Sequence, residues 1–419
     1  MVAAYTINQL GWWFAFVALQ LAVYRHTHSS LALAALLAVA VLPALLATAV
    51  VARIEVSRRR GTLTLLYVIE AACAAGLAAM LWKFSLPGIL VLVAIDGSIA
   101  FAARALVRSE AARAGEAAEG GEQHSGERPV STRGAHRANA ALNVSLSVIG
   151  VGGPLLAALA VEGIGAPSAL LIDAGCFLLG GALLADVRPH VEDAAASVRA
   201  RVAAAWDYLR SATRLRALIA TEGVALVFFF SVIPVEVIYT SSALHAGGVG
   251  YAALLGAWGA GQVAGSLLFA RSESRRLWSM LAAGTLAVGL AYIGYAAAHS
   301  IVLACFAAVV GGVGNGVQWA AFLGTVQQLT PARLLGRIMG VTESVNAVAP
   351  PIGYALGGVL AIASPRLALL VAGIAATTLT LSFVRIGGSR VRAGEVAQLD
   401  GASPEEPATP EQGVPSVAP

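Results

Sequence analysis

Twelve times along this chain a run of roughly twenty residues passes with hardly a charged side chain. A helix rises about 1.5 Å per residue, so each run matches the ~30 Å hydrocarbon core of a bilayer. Water makes no use of such runs, because a helix on a soluble core needs an apolar stripe and not an apolar circumference. The runs cover residues 5–24, 31–52, 63–82, 86–107, 138–161 and 168–187, then 218–239, 251–270, 277–298, 301–323, 338–361 and 367–386. Over all 419 residues 58% are hydrophobic and 12% charged, too few polar groups to clothe a water-facing surface. The expected fold is all-α and transmembrane, with twelve helices.

Alternating spans leave two faces, and the basic residues choose between them. Of the 27 Lys and Arg, Arg25, Lys83 and Arg366 alone fall in the connections from odd to even spans; the rest lie on the other face. The positive-inside rule puts that richer face and both termini in the cytoplasm, with the chain in the cell membrane. The same rule accounts for the net charge of +4, so no nucleic-acid partner is expected. No basic segment precedes the first run and no small-residue cleavage site follows it, which marks it as a retained helix. Cys73, Cys176 and Cys305 sit far apart inside apolar runs, as small core residues do.

The two halves repeat each other in order. "ARIEVSRR" from Ala52, after the second span, returns as "ARSESRR" from Ala270, after the eighth. The fifth span carries "GGPLLAA" and the eleventh "PPIGYALGG", so Gly153 matches Gly353 and Ala157-Ala158 match Gly357-Gly358. "PSALLIDAG" at Pro167 echoes "PRLALLVAG" at Pro365. Matches after spans two and eight, five and eleven, six and twelve imply two parallel six-helix pseudo-repeats. The expected division is an amino-terminal bundle over 1–187 with a flexible loop at 109–137, and an amphipathic linker over 188–216. A carboxyl-terminal bundle over 217–387 and a disordered tail over 388–419 complete it.

On these strings the chain resembles the major facilitator superfamily, and within it the bacterial drug and siderophore exporters similar to the enterobactin and macrolide efflux proteins. The carriers are "LGWWFAFVALQLAVYRHTHSS" in span one, "RANAALN" and "GVGGP" entering span five, and "PVEVIYTSSALHAGGVGYAALLGAWGAG" across spans seven and eight. "GVGNGVQW" and "PARLLGRIMGVTESV" across spans ten and eleven complete them. Two departures stand out. The loop after span two has Ala49, Arg53 and Ile54 where the family has Gly and Asp-Arg, with Glu55 displaced. Span five keeps Gly153-Pro154 but has Ala157-Ala158 in place of glycines. The resemblance implies gate loops, here Arg53, Glu55, Arg58 and Arg59 in one half and Arg271, Glu273, Arg275 and Arg276 in the other. It also implies that spans one, four, seven and ten surround a central cavity while three, six, nine and twelve stand outside.

Carboxylates inside apolar runs carry the strongest functional signal, because a charge at that depth is costly unless paired, protonated or wetted. They are Glu70, Asp96, Asp173, Glu222, Glu236 and Glu343. With the cavity spans assigned by resemblance, Asp96 and Glu222 lead as proton-coupling candidates, followed by Glu236 and Glu343; the alternative for Glu343 is a pair with Arg337 or a helix cap. Trp12, Trp13, Phe16, Gln20, Asn315, Gln318 and Trp319 mix aromatic and amide groups on cavity spans, a surface suited to a bulky amphipathic ligand. For any one of these aromatics taken singly, packing between helices or anchoring at the membrane interface is the stronger reading. The glycines of "GGVGNGVQW", and Gly261 with Gly265, read as close helix packing and not as a nucleotide loop. All seven histidines lie outside the apolar runs, which disfavours a metal site at depth, and no cofactor is expected.

The reading that follows is a secondary active transporter and not an enzyme: proton-coupled efflux of a hydrophobic or amphipathic small molecule by a monomer. A facilitator-type importer or lipid translocator would share this architecture. A transport-inactive membrane scaffold or sensor is the alternative of another class.

Overall fold

The computed structural model describes residues 2–51, 62–120, 149–150, 152–185, 208–272 and 277–388. Twelve helices follow one another: α1 Val2–Thr27, α2 Ser30–Val51, α3 Thr62–Trp82, α4 Leu86–Gly120, α5 Gly152–Ile164 and α6 Ala166–Leu183. The second set is α7 Thr213–Ile238, α8 Gly247–Ala270, α9 Leu277–Ala297, α10 Ile301–Gln328, α11 Ala332–Ala363 and α12 Pro365–Gly388. No strand occurs among the described residues. Nine of these helices are long and apolar enough to cross a membrane, and the apolar stretches Ser30–Pro43, Leu86–Phe101 and Gly152–Ile164 belong to α2, α4 and α5. Large apolar side chains such as Phe306 (68% exposed) and Ile362 (64%) point outward, as a lipid solvent allows and water does not.

Two boundaries differ from the sequence reading. The expected flexible loop began at residue 109, but α4 runs on to Gly120, its added segment being rich in the helix formers Ala, Glu and Arg. The expected linker ended at 216, but α7 starts at Thr213, and Leu215 is already buried in the core. The rest of the expected loop, most of the linker and the tail beyond Gly388 lie outside the described residues.

Five of the six odd-to-even connections are one to three residues long, from the single Gly165 and Ser364 to residues 83–85, and the sixth, residues 239–246 between α7 and α8, opens with the π-helical turn Tyr239–Ala243. Gly165 needs its left-handed backbone (φ 89°) to turn α5 into α6, and Ser300 caps α10 by accepting from the Leu303 N–H at 3.4 Å. At the opposite ends the Arg214 guanidinium donates to the Ile386 and Gly387 carbonyls, both at 3.1 Å, and lies 5.6 Å from the Trp278 ring. It thereby satisfies the last carbonyls of α12.

Packing repeats between the halves. In the first half Gly153 of α5 rests on Trp13 of α1, Gly97 of α4 on the Ala40 carbonyl of α2, and Gly180 and Gly181 of α6 on Tyr67 of α3. In the second half Gly353 of α11 rests on Phe230 of α7, α8 crosses α10, and Gly289 of α9 meets Thr377 and Gly373 of α12. The α8–α10 crossing is glycine on both sides. A methyl group on Gly312 or Gly316 would strike the Trp258 or Gln262 carbonyl, and one on Gly261 or Gly265 would strike that of Val309 or Val313. Equivalent pairs making equivalent contacts give two parallel six-helix pseudo-repeats.

Where the halves meet decides what lies between them. At the ends with short connections a single apolar core joins both, drawing on Leu21, Leu33 and Val161 from one half and Val235, Tyr251 and Leu369 from the other. At the opposite ends the cores are separate: Tyr5, Tyr67 and Phe177 belong to one, Leu218, Phe322 and Phe383 to the other. The largest contact between halves is α2 against α11, with Gly358 seated on Ala34 and the Ser30 carbonyl. We refer to the joined end and the divided end.

Candidate functional site

Two cavities open on the inner faces of the halves. The first, about 230 Å³, is lined by Asn8, Trp12, Phe16 and Gln20 of α1, by Glu70 of α3, Asp96 of α4 and Asp173 of α6. Tyr354 of α11 reaches into it from the other half. The face of α1 is set by spacing, since positions 8, 12, 16 and 20 stand four apart on one helix side. Trp12 stacks on Phe16 with centroids 4.9 Å apart and an interplanar angle of 26°. Trp13, one residue on, turns away to Gly153 of α5 and lines neither cavity.

The second cavity, about 310 Å³, is lined by Glu222, Phe229 and Phe230 of α7, Gln262 of α8, Asn315, Gln318 and Trp319 of α10, and Asn346 of α11. Glu222 is buried, and the Gln318 Nε2 donates to both of its carboxylate oxygens at 3.2 Å. A charge-assisted pair of this kind holds a carboxylate at a depth where a bare one would be untenable.

The other carboxylates go elsewhere. Glu236 is buried on α7 and lines neither cavity; Tyr251, Tyr292 and Tyr295 stand within electrostatic reach of it. It follows Pro234 by two residues and precedes a π-helical turn, Tyr239–Ala243, whose Thr240 hydroxyl donates to the Glu236 carbonyl at 2.9 Å. Glu343 is exposed on α11, well past the first turn, and makes no ion pair with Arg337. Arg25 forms an ion pair with Glu162, beside Gly248 at the start of α8 on the joined end. Of the gate-loop residues Arg271 is described, exposed at the end of α8. Arg53, Glu55, Arg58, Arg59, Glu273, Arg275 and Arg276 lie outside the described residues.

One expectation is corrected. Spans three, six, nine and twelve were expected outside the cavity, yet α3 and α6 deliver Glu70 and Asp173 to the first cavity, and α9 and α12 deliver Tyr292 and Ala376 to the second. The physical reason is close approach. Asp173 Oδ1 lies against Gly11 of α1, where a Cβ would stand 2.5 Å from it, so a glycine lets a peripheral helix reach inward. Asn8, Gln262, Asn346 and Tyr354 were not anticipated; a polar residue inside an apolar run was the signal available for the first three.

These features agree with known proteins. The model of the Major Facilitator Superfamily matches residues 1–342. No curated protein matches the chain significantly. Among solved structures, a bacterial homologue of the iron transporter ferroportin in its inward-facing state superposes with a TM-score of 0.72 at 14% identity, over 93% of this chain and 98% of that one. The nucleoside transporter NupG gives 0.66 at 12% identity over 93% and 98%. A POT family transporter in complex with a thioalcohol-conjugated peptide gives 0.66 at 13% over 92% and 95%. At such identities the structural likeness speaks for the fold, and the family match supplies the rest. The chain belongs to the Major Facilitator Superfamily and is a multi-pass membrane transporter of small molecules.

Proposed function

We propose that this transporter belongs to the drug and siderophore exporter group and moves a hydrophobic or amphipathic small molecule out of the cell by alternating access, driven by inward proton movement. The observation that carries the reading is the unequal contact between halves: one shared core at the joined end, two separate cores at the divided end, and polar cavities between. The divided end is where the arginine-rich connections leave the helices, so the positive-inside rule supports an inward-open state in the cell membrane with both termini cytoplasmic. Export then requires the joined end to part while the divided end closes, and the "ARIEVSRR" and "ARSESRR" connections at that mouth serve as its paired gate.

A driving ion must bind the two states unequally. In this reading Asp96 in one cavity and Glu222 in the other do so by exchanging a proton as water reaches and leaves them, with Glu236 in the joined core as a third such group. The aromatic and amide groups Phe16, Gln20, Asn315, Gln318 and Trp319 hold the substrate, and a single chain carries the whole pathway. Reconstituted protein tested against a substrate panel with an imposed pH gradient decides the matter. Accumulation that follows the gradient and collapses with a protonophore is the expected result. Flux indifferent to both would make the protein a facilitator or lipid translocator; binding without flux of any compound would make it a scaffold or sensor.

A further inference from the structure

Resting on the transporter reading above, we propose that the carboxyl-terminal cavity takes an uncharged, flat heterocycle carrying an amide-type edge, a ring N–H beside a C=O. Three carboxamides line that cavity, Gln262 of α8, Asn315 of α10 and Asn346 of α11. Each falls inside an apolar run, yet among the described residues their side chains have no hydrogen-bond partner. Hydrocarbon offers an amide nothing, so a carboxamide at that depth is stable where water or a ligand supplies its partners.

The three amides stand at one level. The Gln262 backbone packs against Gly312 and Gly316 of α10, which bracket Asn315. Glu222 is bonded to Gln318, less than one turn from Asn315, and its neighbour Gly223 meets Val345, the residue before Asn346. Phe229 and Phe230 follow Glu222 by about two turns toward the joined end. Phe229 leans on Trp258 at 5.9 Å, and Trp258 stacks on Tyr292 at 5.6 Å and 9°, so the cavity sets a ring of amides against a fixed aromatic wall.

This lining selects by charge and by shape. Its described residues include no lysine, arginine or histidine, so an anion would meet Glu222 without any counter-ion. A cation would have to draw Glu222 from the Gln318 Nε2, which donates to both of its oxygens. A carboxamide holds donor and acceptor side by side in one plane, and closes two bonds at once with a ligand edge built the same way. A hydroxyl group carries no such planar pair. The volume of about 310 Å³ is near the lower end for small-molecule sites and suits a body of one or two rings against the aromatic wall.

Four probes share a two-ring body: quinolin-2-one, N-methylquinolin-2-one, quinoline-2-carboxylate and naphthylmethylammonium. Their binding to the full-length detergent-purified protein is measured by titration calorimetry. The lactam should bind, its N-methyl analogue, whose paired edge is blocked, roughly tenfold more weakly, the ammonium more weakly than the lactam, and the carboxylate not at all. Asn315→Leu removes an amide that the fold leaves unbonded, and should weaken the lactam by roughly tenfold while leaving the N-methyl analogue unchanged. No binding of the lactam, equal binding of lactam and N-methyl analogue, or a carboxylate or ammonium that binds as well as the lactam would each overturn the proposal. So would full lactam affinity in folded Asn315→Leu, or an equal loss of lactam and N-methyl analogue there. The probe comparison on unaltered protein stands even where that variant does not fold. Proteoliposome flux of a panel compound without lactam binding would remove this proposal and keep the exporter reading; lactam binding with no flux of any panel compound would do the reverse.

Discussion

Gly358 offers the sharpest test of how the halves are held together. It lies on α11 at the joined end, and a Cβ there would stand 2.5 Å from the Ala34 Cβ of α2 and 3.2 Å from the Ser30 carbonyl oxygen. Carbon atoms in contact prefer about 3.5–4.0 Å, so α2 and α11 must part by roughly 1 Å or more to admit even the first carbon of Gly358→Val. Neither neighbour can swing aside, since one is a methyl group on backbone and the other is backbone itself. Overpacking of this kind costs about 1–3 kcal/mol. The cost falls on the state in which this end is joined, and so shifts the equilibrium about 5- to 150-fold toward the state in which it has parted. The readout is a single cysteine at Ala225, on the wall of the second cavity, in a background lacking Cys73, Cys176 and Cys305. A membrane-impermeant maleimide applied from the joined side should label it several-fold faster in Gly358→Val than in the parent, and more slowly from the divided side. If monodisperse Gly358→Val protein labels at parental rates from both sides, α11 yields locally and this contact is not the seal.

Three further outcomes follow from the site and its surroundings. Asp96→Asn should abolish gradient-driven flux at normal protein levels, and unchanged flux would remove Asp96 as the coupling group. Glu222→Gln and Gln318→Leu should each lower the thermal midpoint of the purified protein, charge-assisted bonds being worth about 1.5–3 kcal/mol. The double variant should lose less than the two together, whereas additive losses would mean that the groups do not act as a pair. A chain ended after Gly388 should insert and transport normally, because the remaining sequence is rich in Pro and Glu and offers little to pack; loss of transport at normal protein levels would give that tail a role.

Lipid made the helices readable. An apolar run must be contiguous to cross a bilayer, so the twelve elements and the parallel repeat could be taken from the residues themselves. The glycines of α8 and α10 were equally plain, since small residues four apart in such a run have one main use, and the crossing at Gly261 and Gly312 is that use. The helical course of residues 109–120 was not legible, because Ala, Glu and Arg suit a solvated helix and a disordered loop alike. Side-chain direction was the larger gap. Trp12 and Trp13 are neighbours about a hundred degrees apart on one helix, and the rotation that gives the cavity to the first and Gly153 to the second is set by packing across elements. Asp173 illustrates the same limit: its inward reach depends on Gly11, far away in sequence.

The short turns at the joined end have a practical consequence for anyone handling the protein. With one to three residues between helices at five of its turns and a π-helical turn filling most of the sixth, that face gives a protease little extended chain to grip and leaves little room for an inserted tag or an antibody epitope. Probes of orientation are better built into the opposite face, where the sequence between α2 and α3, α4 and α5, and α6 and α7 is longer. A cleavage site placed after residue 188 and attacked from one side of sealed vesicles would report which way the molecule faces without disturbing a single helix contact described above.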